Sequence, residues 1–485
     1  MFEKVFKNID DVLRKESGCG SELDYVEQTS WIIFLKYLKD LDIKNSKYKE
    51  LLGEEHQNIF SDDFSWETWA CPKNSKGEID YNICRSGVDL ITFVNNELFP
   101  YLEGFKSVED SSSIEYKIGV IFSEIKNRFQ DGYNLREVLD LVDELSFNTS
   151  EEVHEMSHLY EARIQRMGNA GRNGGEYYTP RPLIKSIVNV MDLKVGDTIY
   201  DGACGSAGFL CEAFNYLREG PNSSMLRAGD LEILQKKTLY GQEKKSLAYI
   251  IGIMNLILHG VESPNITRGN TLSENSRDYE EKDRHDVVLA NPPFGGKERA
   301  EVQQNFEIKV SETAYLFVQH FYRKLKANGR AAIVIKNTCL SNGDAKALRK
   351  LLLEKTNLHS ILDLPGGTFT GAGVKTVVLF FDKINTGTKK IWYYQLNLDR
   401  NLGKTNPLNS RDMEEFERLF KTKGDSDNSW SVDVSNIDVE NYDLSVKNPN
   451  EKEEEPLRSP EDILEHISIL DLESSSLLEE VKKLI

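Results

Sequence analysis

Residues 286–294 read Asp-Val-Val-Leu-Ala-Asn-Pro-Pro-Phe, and no other segment restricts the fold so sharply. Val287 to Ala290 are apolar and β-favouring, the pattern of a buried central strand in a parallel sheet. Pro292 and Pro293 then end the strand, because neither can donate to a ladder and both fix φ. In an open α/β sheet, the loop beyond a strand's carboxyl end is where ligands bind. There the Asn291 amide oxygen and the Pro292 carbonyl become two fixed acceptors, with the Phe294 ring alongside. Such a set suits a flat ring carrying an exocyclic amino group, as in adenine, which offers two N–H donors and a π-face. Asn-Pro and Pro-Pro also mark ordinary turns, so the reading depends on the motifs around it.

The first of these is Thr198-Ile-Tyr-Asp-Gly-Ala-Cys-Gly-Ser-Ala-Gly-Phe-Leu210, a short apolar strand, a glycine-rich turn and the start of a helix. Glycines at 202, 205 and 208 let the backbone bend tightly and approach a ligand. Their spacing departs from the dinucleotide fingerprint G-x-G-x-x-G, and a glycine turn by itself is weak evidence. Asp201 at the strand end disfavours a diphosphate and favours a cation. S-adenosylmethionine, with its ammonium and sulfonium, meets that preference. The second is Thr238-Leu-Tyr-Gly-Gln-Glu243, another strand ending in a carboxylate, placed to accept both hydroxyls of a ribose.

Taken in order, these words resemble the methylation (M) subunit of Type I restriction-modification systems, an adenine-N6 DNA methyltransferase family. The resemblance also covers Gly175-Glu-Tyr-Tyr-Thr-Pro-Arg181, the helix ending Met254–Gly260, Gly269-Asn-Thr-Leu272 and Leu364-Pro-Gly-Gly-Thr-Phe369, and is close over roughly 110–385. It implies an α/β fold, a Rossmann-like methyltransferase doubly wound sheet with an N-terminal helical domain and a C-terminal helical tail. It implies S-adenosyl-L-methionine as cofactor, contacted by Glu176, Tyr177, Tyr178, Thr179, Pro180 and Arg181, by Asp201, Ser206, Ala207 and Gly208, and by Glu243 on the ribose. Asn270 stands where the family usually offers an acidic residue to the cofactor's adenine, and its amide oxygen can still accept. Asp-Gly-Ala also replaces the common Asp-Pro-Ala, which loosens the turn. The catalytic set is Asn291, Pro292, Pro293 and Phe294.

Composition bounds the partners. With 485 residues, 39% hydrophobic and 29% charged, the chain has room for two or three domains. No apolar run approaches a membrane span and the amino terminus has no secretory pattern, so a cytoplasmic location is expected. Six cysteines without C-x-x-C pairing read as reduced thiols. His154 and His158 lack a third ligand and read as a helix face, so no metal is expected. A net charge of −19 is unusual for a chain that binds double-stranded DNA alone. Lys346, Arg349 and Lys350, or Arg163, Arg166 and Arg172, are candidates for a local basic strip. The simpler reading is that a second subunit supplies recognition. The resemblance implies the same: a specificity (S) subunit, typically with two M per S, and a restriction (R) subunit as an optional third component.

Three parts are expected: a helical domain over 1–165, the methyltransferase domain over 166–400, and an extension over 401–485. Ile114, Ile118, Ile121, Phe122, Ile125 and Phe129 form one apolar helical stripe, and Leu135, Val138, Leu139 and Val142 another. Glycines 168, 171, 174 and 175 suggest a lid or hinge. Strands are expected at 198–201, 239–242, 286–290, 331–335, 360–364 and 376–381, the last two as an antiparallel hairpin. Beyond 385 the pattern weakens. After the acidic stretch Glu451–Pro460, residues Ile463, Ile467, Leu470, Ser474, Leu477, Val481 and Leu484 form a heptad seam that calls for another helix. Near variants are standalone adenine, RNA or glutamine methyltransferases with the same tetrad. The contrasting class is a non-catalytic scaffold or DNA-binding subunit that keeps the fold.

Overall fold

The structure, a computed structural model, describes residues 2–53, 55–110, 113–147, 149–168, 178–220, 226–262, 264–369, 373–450 and 460–484. The amino-terminal helices include α1 (Phe2–Leu13), α2 (Glu22–Leu52), α3 (Ile114–Phe122), α4 (Gly132–Asp143) and α5 (Ser150–Gly168). Ser21 caps α2 by accepting from the Asp24 N–H, and Gly53 ends it at φ 71°, a backbone region that favours glycine. Ile118, Ile121, Leu135 and Val138 are fully buried, as their spacing predicts. The first stripe departs from expectation after Phe122, where α3 stops. Ile125 and Phe129 are still buried, but from the following loop.

Nine strands form one sheet in the order β3-β2-β1-β4-β5-β7-β6-β8-β9. They are β1 (Ile199–Asp201), β2 (Leu239–Glu243), β3 (Asn265–Arg268), β4 (His285–Ala290), β5 (Leu325–Lys336), β6 (Asn357–Asp363), β7 (Thr376–Asp382), β8 (Lys390–Gln395) and β9 (Ser429–Asp433). The first five run parallel, and β7 lies antiparallel between β5 and β6. The expected closing hairpin is therefore present. Strands β3, β8 and β9 were not among the expected six, and the sheet continues past residue 400 to β9. β3 and β9 are edge strands with little apolar signal. β8 is a run of aromatics that its pairing with β6 and β9 identifies as a strand.

Each central strand is buried on both faces, hence the unbroken apolar run of β4. Val287 and Leu289 join a core with α6 (Arg181–Val190), α7 (Gly208–Glu219) and α8 (Ser246–Leu258), and this core continues into the amino-terminal helices. Val288 and Ala290 face the other core, under α9 (Thr313–Lys324) and α10 (Lys346–Lys355). Tyr160 of α5 stitches the two regions together, sharing a hydrogen bond with Ser30 Oγ at 2.8 Å and touching Met254 Sδ at 3.9 Å.

Two arginines proposed for a basic strip are structural. Arg349 is 1% exposed and donates to the carbonyls of Cys339, Asn342, Asn441 and Tyr442, clamping the segment after β9. Arg163 is buried against Asp10. A guanidinium with carbonyl or carboxylate partners is more stable inside than a solvated one is useful outside. The last helix, α11 (Pro460–Leu484), is the reverse case. Ile463, Ile467, Leu470, Leu477 and Val481 are all about half exposed or more, and Leu464, Leu472 and Leu478 are exposed beside them. No described helix is long and apolar enough to cross a membrane.

Candidate active site

Strands β1, β2 and β4 are neighbours and parallel, so their carboxyl ends put Asp201, Glu243 and Asn291 at one edge of the sheet. The chain order reverses between β1 and β4, the switch point where such sheets bind ligands. A cavity there is lined by Tyr178, Thr179, Arg181, Asp201, Ala203 to Ser206, Gly208 and Asn291, among others. Of the cofactor contacts expected, Tyr178, Thr179, Arg181, Asp201, Ser206 and Gly208 meet at this cavity. Pro180, between two lining residues, is the N-cap of α6. Glu176 and Tyr177, with most of the glycine hinge, lie outside the described residues.

The glycine turn is held from several sides. Glu243 Oε2 accepts from Gly205 N at 2.9 Å, and Glu243 Oε1 from Lys245 N at 2.8 Å. The Ser206 carbonyl accepts from Asn255 Nδ2 at 2.9 Å, and the Gly202 carbonyl from the Thr271 hydroxyl. Ala207 is fully buried and takes φ 62°, a conformation strained for any residue with a Cβ. Gly208 has no room for one: a Cβ there would fall 1.6 Å from Arg181 Nη1. Asn270 caps the short turn Thr271–Ser273, accepting from Leu272 N at 3.3 Å, beside Gly269, whose N–H donates to the Glu243 carbonyl at 2.9 Å.

Three polar groups here are unusual. Asp201 is 2% exposed, and among the described residues it accepts one hydrogen bond, from Ala203 N at 3.0 Å. Burial, helped by the Glu243 charge and only partly offset by that N–H, pushes its pKa up to about 8. Asn291 donates from Nδ2 to Thr179 Oγ1 at 2.9 Å, while its Oδ1 is buried with no partner among the described residues. Arg181 lies 2.9 Å from the Glu161 carboxylate and over the Tyr178 ring, yet no guanidinium nitrogen has an aligned hydrogen bond there. Pro292 is buried, Pro293 is half-buried, and Phe294 meets Phe369 edge to face at 4.9 Å between centroids.

Glu161, Asn255, Thr271 and Phe369 belong to this site and were not singled out as site residues. Phe369 closes the Leu364–Phe369 motif, so a signal existed. Glu161 had none, being one carboxylate of a charged helix. Glu161, Cys211 and His259 bring ligand-type atoms within 4.8 Å of one another, but Arg181 already places a cation at that carboxylate. The side chains of His154 and His158 lie outside the described set.

An orphaned amide oxygen, a buried carboxylate and a buried guanidinium around a glycine cradle fit a zwitterionic nucleoside. With β7 reversed between β5 and β6, the fold is that of a Rossmann-like methyltransferase. A family model described as N-6 DNA Methylase matches residues 151–456. The Type I restriction enzyme EcoEI methylase subunit of Escherichia coli is 33% identical over 93% of this chain and 90% of its own length. A crystal structure of a modification subunit of a putative type I restriction enzyme from Vibrio vulnificus YJ016 is 35% identical, with TM-score 0.81, over 93% of this chain and 96% of that one. A chain from a structural study of assembly and conformational transition in the type I R-M system is 34% identical, with TM-score 0.77, over 99% and 97%. The chain belongs to the methylase (M) subunits of Type I restriction enzymes, adenine-specific N6 DNA methyltransferases. Membership implies S-adenosylmethionine as the methyl donor.

Proposed function

We propose that Asn291, Pro292, Pro293 and Phe294 hold the target adenine, and that Tyr178 to Arg181, Asp201, Ser206 to Gly208, Glu243 and Asn270 hold S-adenosylmethionine, joined by Glu176 and Tyr177. The observation that carries this reading is the buried Asn291 Oδ1, which has no partner among the described residues. A buried acceptor left open in the folded chain is costly, and a substrate amino group satisfies it. When bound, the cofactor supplies an electrophilic sulfonium methyl. An adenine amino nitrogen is a poor nucleophile because its lone pair is delocalised into the ring. Asn291 Oδ1 and the Pro292 carbonyl accept its two hydrogens and draw the nitrogen towards tetrahedral geometry. Its lone pair then faces the methyl group in line. Placement of the two reactants contributes ~7–11 kcal/mol at most, and the fixed dipoles add to it as positive charge develops on nitrogen. No covalent enzyme intermediate is needed. The base must leave the duplex to reach this loop, where Phe294, held edge to face by Phe369, would stack on it.

Partners follow from charge and from α11. At −19 the chain is a poor duplex binder by itself, and its last helix carries exposed leucines and isoleucines. The proposed assembly has a specificity (S) subunit gripped by α11, two M per S, acting on double-stranded DNA in the cytoplasm. A restriction (R) subunit is the optional further member. The test is to express the chain with its S subunit and sequence the modified bases in host DNA. N6-methyladenine at one defined site, lost in Asn291→Ala, is the expected result; modified cytosine would end this reading.

A further inference from the structure

Glu161 lies outside every motif of the sequence, yet three polar side chains converge on it. Its Oε1 stands 2.9 Å from Arg181 Nη2, 3.5 Å from Asn255 Nδ2 and 3.8 Å from His259 Nε2. The carboxylate is 13% exposed. Asn255 Nδ2 also holds the Ser206 carbonyl at 2.9 Å, so Glu161 is one side chain away from the glycine turn. On its other side, Arg181 fills the notch left by Gly208, where a Cβ would meet Nη1. Its guanidinium nitrogens are buried and lack aligned acceptors among the described residues. The contact to Glu161 thus supplies charge and position but leaves the planar fork unfilled. Such a fork matches one ligand group above others, a carboxylate bound through two parallel hydrogen bonds.

We propose that Glu161 is a positioning residue that holds Arg181 against the glycine turn to receive the carboxylate of the cofactor's amino-acid end. The inference rests on the cofactor reading above. S-adenosylmethionine has a single anionic group, and its ammonium and sulfonium would be repelled by a guanidinium. Among the cofactor's groups the carboxylate is the one whose charge and two-oxygen geometry match the open guanidinium fork, with Asp201 left for the ammonium. Without Glu161 the guanidinium would be an unpaired buried cation, free to swing towards water. Glu161 belongs to α5, which packs on α2, so the amino-terminal helices set the position of a cofactor-binding group.

The test uses calorimetric titration of the full chain with S-adenosylmethionine and with decarboxylated S-adenosylmethionine. The second ligand keeps the adenosine, sulfonium and ammonium and lacks the carboxylate. Glu161→Gln keeps the shape and removes the charge. It is expected to weaken S-adenosylmethionine by about tenfold or more, the weight of one charge-assisted contact, and to leave the decarboxylated ligand unchanged. Equal losses for both ligands, or none for either, overturn the proposal. If Glu161→Gln does not fold, Glu161→Asp retains the charge on a shorter stem and is expected to show a smaller loss with the same selectivity. The unmodified chain is expected to prefer S-adenosylmethionine, and equal affinity for the two ligands overturns the Arg181 assignment without any variant. Binding of neither ligand overturns the cofactor reading itself, which separates the two failures.

Discussion

Asn291 Nδ2 donates to Thr179 Oγ1 across a 2.9 Å contact, and this link between residues 112 apart in sequence decides which amide atom is left open. With the donor committed, Oδ1 remains as the buried acceptor. Asn291→Ala is expected to abolish methyl transfer while the cofactor still binds. Thr179→Val removes the hydroxyl and frees the amide to turn; the expected cost is ~1–1.5 kcal/mol in the methyl-transfer step, with Thr179→Ser close to the parent. Single-turnover methylation measures both, and a Thr179→Val rate equal to the parent's would show that the hydroxyl does not orient Asn291.

Glu243 supports the glycine turn, since its two oxygens accept from Gly205 N and Lys245 N, and it is proposed to hold the ribose as well. Glu243→Ala should weaken S-adenosylmethionine binding by ~1.5–3 kcal/mol, the range for hydrogen bonds to a charged group. Glu243→Gln should lose less, because its amide oxygen still accepts one bond. Titration calorimetry reads both; a folded alanine variant with parental affinity removes Glu243 from the ribose.

With Asp201 proposed to face the cofactor's ammonium, cofactor binding is expected to depend on pH. Burial and the Glu243 charge raise its pKa to about 8, from about 3.9 in an unfolded chain. Between those values the folded protein holds a proton that the unfolded chain has released. The group's stabilising contribution is therefore complete below about 4 and is lost as pH rises through about 8. An ammonium beside the carboxylate favours its ionised form, so binding near neutral pH should release a proton. Calorimetry in buffers of different ionisation enthalpy detects that release, and Asp201→Asn should abolish it. Binding without proton release would place the ammonium elsewhere.

Gly208 and Gly229 separate space from helix propensity. Alanine normally favours a helix over glycine by ~1 kcal/mol. At Gly208 its Cβ would fall 1.6 Å from Arg181 Nη1 and 2.9 Å from Ile184 Cδ1. At Gly229, in helix Ala228–Lys236, nothing lies within 4 Å. Gly208→Ala should reduce both melting temperature and cofactor affinity, whereas Gly229→Ala should keep affinity and hold or raise the melting temperature. Parental cofactor affinity in Gly208→Ala would mean that Arg181 is not needed where it stands.

Removal of residues 460–485 tests the tail. α11 is exposed along its described length, so its loss should leave cofactor binding intact. It should prevent a stable complex with the S subunit, and with it site-specific methylation. Co-purification of the shortened chain with its S subunit at the parental ratio would give the helix another job.

Much of the fold was legible because burial on both faces writes itself into a strand as an unbroken apolar run. β4 and β7 announce themselves in this way, whereas β1 and β2 were found from the motifs at their carboxyl ends. β3, as Asn-Ile-Thr-Arg, and β9, as Ser-Trp-Ser-Val-Asp, lie at the sheet edges and bury too few side chains to leave a period. The arginines were misleading for a related reason. A sequence shows the charge of Arg349 but not the four carbonyls that draw it inside.

By itself the sequence determined the class of chemistry. Two prolines after a buried strand, and two strands ending in carboxylates, are local constraints that hold wherever the rest of the chain goes. Only the tertiary structure decided how those ends work together. Parallel pairing of β1 with β2 and β4 brings Asp201, Glu243 and Asn291 to one edge. The Thr179 contact selects the free amide atom, and Glu161 reaches Arg181 from a helix before the motif region. Those contacts carry no sequence period, because a single hydrogen bond or ion pair between distant residues depends on where the whole backbone places two side chains.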